Sequence, residues 1–142
     1  MIRVEAVWLA AEPLDLRAGM ESVLNRVVTV FGAARPQLLI VGLAPGFHGA
    51  NATGRPFTGD YAGVLLYETL HHFGWASAPV SSSRDDGLVL EGARITNAVK
   101  CVPPGNKPTP AEITTCNAFL GAELAGLPAG AVVLALGAIA HG

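Results

Sequence analysis

Charge is scarce in this chain and has no dominant sign: 14% of the 142 residues are charged, with nine Lys and Arg against eleven Asp and Glu. No overall basic field exists, so contact with nucleic acid would have to rely on a local cluster of cations. Cysteine is nearly absent. Two thiols, Cys101 and Cys116, allow at most one disulfide and exclude a disulfide-stapled scaffold; for a cytosolic chain a metal ligand or a buried thiol is the more natural reading. No uncharged apolar run reaches the length of a membrane span, and the amino-terminal stretch MIRVEAVWLAAEP carries acids where a secretion signal keeps a clean apolar core. A soluble, cytoplasmic protein without membrane contact is therefore expected. Internal repeats and low-complexity tracts are also missing. What is present is apolar residue in quantity, 51% of the chain, enough to bury the core of one domain.

The apolar residues fall into alternating patterns. In residues 19–32, GMESVLNRVVTVFG, Leu24, Val27, Val28 and Phe31 share one helical face, and Gly32 ends it. Gln37 to Leu43 is an unbroken apolar run of strand length, as expected for a strand covered on both faces in mid-sheet. Asp60 can cap a helix running to Gly74, with Val64, Leu65, Tyr67 and Leu70 available for burial. Its adjacent His71 and His72 point to different faces and make a poor metal pair. Residues 77–87 read as a polar, turn-rich connection, and ARITNAVKCV as a second strand that dissolves at Pro103. Thr109-Pro110-Ala111-Glu112 has the form of a capping box opening a helix that carries Cys116, Phe119, Leu120 and Glu123, and AVVLALG is a third buried strand. Strands alternating with helices imply parallel pairing in a layered α/β domain.

Between the first strand and the Asp60 helix lies GLAPGFHGANATGRPFTGD, residues 42–60. It lacks both the Gly-Lys-Ser/Thr ending of a phosphate loop and a GxGxxG. Glycine lets backbone approach a flat ligand, and Phe57 can offer a stacking face beside it. Asn97, at the carboxyl end of the second strand, presents a donor and an acceptor on one amide, which suits a pyrimidine edge. Asp60 can orient a water, or act as a plain helix cap.

The loop, together with ITNAVKCVPPGNKPTPAEITTC, closely resembles the bacterial and archaeal family 5 uracil-DNA glycosylases over residues 36–142. Leu43 favours family 5, since family 4 relatives usually carry an acid there. The resemblance implies a three-layer α/β/α fold with a parallel central sheet and hydrolysis of the N-glycosidic bond of uracil, with other deaminated bases as an extension, in DNA for base excision repair. It also implies that Asp60 is catalytic, that Asn97 reads the base, that Phe57 stacks on it, and that Gly42, Ala44, Pro45, Gly46 and His48 line the remaining pocket. Relatives hold a 4Fe-4S cluster, of whose four thiolates the last two match Cys101 and Cys116.

Three departures accompany the match. Residues 1–36 have no counterpart of the family's amino-terminal CxxC and instead resemble the start of an insertion-sequence accessory protein, so a helical segment of foreign origin is expected over 1–36 and a partial glycosylase domain over 37–142. A cluster is then not expected to be stably held, and both cysteines are expected as free buried thiols. The chain also stops before the family's His-Pro-Ser motif, and His141 is not in that context, so a C-terminally truncated domain of impaired activity is expected. The alternative is a non-catalytic hybrid remnant or a mobile-element accessory protein.

Overall fold

Three short strands run parallel in the order β2-β1-β3: β1 (Leu38–Gly42), β2 (Ala93–Asn97) and β3 (Val132–Ala135). The computed structural model describes residues 36–141. The helix expected over 19–32 lies outside the described residues.

β1 is buried at all five positions because it is central and both of its faces are covered. Its side chains alternate between two cores. Leu38 and Ile40 join Ile95, Val132 and Leu134 under α2 (Tyr61–His72), which contributes Leu66, Tyr67 and Leu70, with Trp75 just beyond. Leu39 and Val41 face the other way, with Ala98, and meet Leu120 of α3 (Pro110–Ala125). Helix, sheet and helix thus form three layers, as expected. The short helices α1 (Ala50–Thr53) and α4 (Ala138–His141) and a 3-10 turn at Pro104–Asn106 complete the described elements. No helix among these residues is long and apolar enough to cross a membrane.

Both helix starts follow their sequence signals. The Asp60 side chain accepts from the Gly63 N–H at 2.8 Å, and Thr109 and Glu112 form the reciprocal capping box. Thr109→Ala should cost about 1 kcal/mol, the usual worth of an N-cap, read as a lower urea midpoint at unchanged slope.

The burial phase of the helices differs from expectation. On α2 the stripe is Gly63, Leu66, Tyr67 and Leu70, so Val64, a single position off it, is 54% exposed. On α3 Cys116 and Leu120 are buried, whereas Phe119 is 61% exposed. The second strand also ends early, at Asn97. Ala98 and Val99 still donate to the Gly42 and Leu43 carbonyls, but beyond them β1 has turned into its loop and offers no further ladder. Cys101 is therefore carried past the sheet and is exposed, which corrects the expectation of a buried thiol, while Cys116 is buried as expected.

Candidate active site

Parallel register sets Gly42 opposite Asn97 at the carboxyl ends of β1 and β2, the edge of an open sheet where ligands collect. The approach is close. A Cβ on Gly42 would stand 2.6 Å from Asn97 Oδ1 and 2.8 Å from Phe57 Cζ, so only glycine admits both side chains over this strand end. Asn97 is 8% exposed, and its side-chain amide makes no hydrogen bond to the described residues, but its polar atoms are not sealed from solvent; the buried side-chain atom left without a partner among the described residues is Trp75 Nε1. An amide that reaches the open strand end with no protein partner keeps its donor and its acceptor free for a polar ligand.

Phe57 holds its ring there from an unusual backbone, with φ at 54°, a left-handed conformation that bulky residues avoid. Several contacts surround it. The Tyr67 hydroxyl donates to the Pro56 carbonyl at 2.8 Å, and the fully buried Thr58 hydroxyl shares a hydrogen bond with Ser81 at 2.7 Å. The chain leaves Phe57 past Gly63, whose α-carbon face lies directly on the Phe57 carbonyl.

Asp60 divides its two oxygens. Oδ1 caps α2, whereas Oδ2 faces a glycine wall: a Cβ on Gly49 would come within 2.6 Å of it, and one on Gly46 within 3.8 Å. Capping and chemistry are thus compatible, because one oxygen serves the helix and the other faces the loop. Ala44, Pro45 and Gly46 are half-buried along the same loop. The His48 side chain is exposed, its ring edge-to-face with Phe47 at 5.0 Å, while its carbonyl lies near Gly59. His71 and His72 are both exposed, with His71 Nδ1 bonded to the Ala76 carbonyl at 3.0 Å.

Several residues bearing on the loop went unremarked in sequence. Arg55 pairs with Asp86 at 2.7 Å, and this hydrogen bond, followed by the Leu88 N–H and those of Ser82 and Ser83, holds the Asp86 carboxyl well below the usual carboxylate range against the opposing effect of desolvation. The only sequence signal was the Asp-rich turn SSSRDDG itself. Away from the loop, Glu123 of α3 accepts from Arg94 of β2 at 3.2 Å and from Lys100, beyond the strand, at 2.9 Å.

A cleft of about 490 Å³ opens at the opposite end of the sheet, lined by Gln37, Gly92, Ala93, Arg94 and Glu123 among others. It contains none of Gly42, Phe57, Asp60 and Asn97 and lies at the amino ends of the strands, so the Gly42–Asn97 edge is the better ligand site.

For a 4Fe-4S cluster the residues present do not fit. Such a cluster takes about four thiolates, and this chain has two cysteines, one exposed and one buried with its sulfur accepting the Lys100 N–H at 3.4 Å. Among the described residues no group of three or more His, Cys, Asp or Glu is placed to hold a metal ion.

The family model of the uracil DNA glycosylase superfamily matches residues 29–142. Among curated proteins the chain is 55% identical over 99 residues to a type-5 uracil-DNA glycosylase of Mycobacterium bovis, covering 70% of this chain and 37% of the relative. It is 50% identical over 115 residues to the type-5 uracil-DNA glycosylase of Thermus thermophilus, covering 81% and 52%. A type-4 uracil-DNA glycosylase of Thermotoga maritima is 38% identical over 120 residues, covering 82% and 54%. The chain spans about half, or less, of the length of these relatives.

Proposed function

Because this chain belongs to the uracil DNA glycosylase superfamily, we propose that it acts on uracil in DNA by hydrolysing the N-glycosidic bond, as a type-5 enzyme of base excision repair in the cytoplasm. The observation that carries the reading is the Asn97 amide, free of protein partners at the open strand end, beside the Phe57 ring over Gly42. That arrangement suits a flat ring with a donor and an acceptor on one edge.

Base removal breaks the bond from C1′ to the pyrimidine nitrogen, and the electron pair leaves with the base. The sugar becomes electron-poor and the base anionic in the transition state, and a water adds to C1′. The base must first be flipped out of the stack, and Phe57 then offers the face on which it rests. Asn97 donates to a carbonyl of uracil and accepts from its ring N–H, a pairing that an exocyclic amine in place of the carbonyl would break. Asp60 Oδ2, on the glycine wall of Gly46 and Gly49, orients the water, accepts its proton and balances charge on the sugar. The loop backbone from Gly42 to Gly46, through Ala44 and Pro45, closes the pocket, with His48 at its rim. Other deaminated bases that share the uracil edge are secondary substrates in this reading. None of these steps passes through a metal cluster.

Purified protein incubated with a single-stranded or duplex oligonucleotide carrying one uracil, then treated to cleave abasic sites, tests the proposal. Scission at the uracil position is expected. Its absence with protein in molar excess would overturn the reading.

A further inference from the structure

Residues 77–87, a connector by composition, are bound to the glycine-rich loop on both sides of Phe57. On the upstream side Arg55 Nη1 reaches Asp86 Oδ1 at 2.7 Å and donates to Ser81 Oγ at 2.9 Å, while its Nη2 donates to the Arg84 carbonyl at 2.8 Å. On the downstream side the Thr58 and Ser81 hydroxyls lie 2.7 Å apart. Ser81 thus touches both flanks. Asp86 is itself tied to its own turn, accepting from the N–H groups of Ser82, Ser83 and Leu88 at 2.8, 3.2 and 2.9 Å. Between the two anchors sits the residue whose backbone is least content where it is, Phe57 at φ 54°. Local preference alone would return it to negative φ and swing the ring away from Gly42 and Asn97. A bidentate-capable guanidinium on a carboxylate, with a half-buried hydroxyl pair, is a suitable device to oppose that.

We propose that Arg55, Ser81 and Asp86 are positioning residues of the base site: the Asp86 turn clamps the loop on either side of Phe57 and holds its ring over Gly42 at the edge of Asn97. The inference rests on the uracil reading for its consequence, though the clamp itself is a property of the loop.

Two measurements separate the clamp from the site that it serves. With 4-fluorophenylalanine introduced at position 57 alone, the fluorine resonance of the otherwise unchanged protein should be single and narrow without any ligand. It should shift or broaden in Asp86→Asn and in Ser81→Ala, and stay put in Asp85→Asn, which alters the neighbouring carboxylate. A resonance unmoved by the first two variants would overturn the clamp. The second measurement is binding preference for a uracil-containing over a cytosine-containing oligonucleotide, taken in an Asp60→Asn background in which cleavage is slow against the time needed to measure binding. Asp86→Asn should reduce that preference about tenfold when Phe57 is present and have no further effect in Phe57→Ala, as expected for two positions that act through one contact. Equal losses in both backgrounds would make Asp86 merely structural and overturn its positioning role. If the parent shows no preference for uracil at all, the proposed function falls, and the fluorine resonance still decides the clamp.

Discussion

Asp60→Asn should lower uracil excision by on the order of 10² to 10⁴-fold while leaving the fold nearly untouched. The reasoning is geometric. Oδ1 caps α2 through the Gly63 N–H at 2.8 Å, and asparagine caps about as well as aspartate, so the helix keeps its start. The substitution removes the carboxylate charge, and with it the acceptor that the other oxygen turns toward Gly46 and Gly49. Asp60→Ala should show the same loss of rate and, in addition, about 1 kcal/mol of destabilisation from the missing cap. Single-turnover excision and urea denaturation on the three proteins check both halves. Equal rates for the parent and Asp60→Asn would reduce Asp60 to a cap and nothing more.

Gly63→Ala should destabilise the protein by about 2–3 kcal/mol, against the usual gain when a helical glycine becomes alanine. A Cβ at this position would overlap the carbonyl oxygen and carbon of Phe57, and those are backbone atoms that cannot rotate out of the way. Relief would require α2 to retreat from the loop or Phe57 to abandon its place, so the proposed base site should suffer with the fold. Gly121→Ala on α3 supplies the contrast. Nothing lies within 4 Å of a Cβ there, and the same change should stabilise by about 0.5–1 kcal/mol. Thermal midpoints of the two variants moving in opposite directions are the expected result; two upward shifts would remove Gly63 from the account of the loop.

The contrast between those glycines also shows how far sequence reading reaches. Nothing local distinguishes Gly63 in YAGVL from Gly121 in FLGAE, since both sit in helices among small and apolar neighbours. The same holds for Val64 and Phe119, whose exposure depends on which stripe of each helix meets the sheet. Cys101 was misplaced for a related reason: the end of β2 was set by where β1 turned away, an event far back in the chain. The Arg55–Asp86 and Thr58–Ser81 contacts join residues more than twenty positions apart, and no spacing rule connects them.

By itself the sequence determined the elements that depend on near neighbours: the central strand from its unbroken apolar run, the caps at Asp60 and Thr109, and the permissive loop from its glycines. Those follow from backbone hydrogen bonding and steric freedom within a few residues, which composition and spacing record directly. It also named Phe57, Asn97 and Asp60. Tertiary structure alone decided that Gly42 and Asn97 lie side by side, that one Asp60 oxygen caps while the other faces the loop, and that Asp86 meets Arg55 while Ser81 meets both Arg55 and Thr58. These are consequences of strand register and close packing, in which the available space at each atom is set by parts of the chain that meet only on folding.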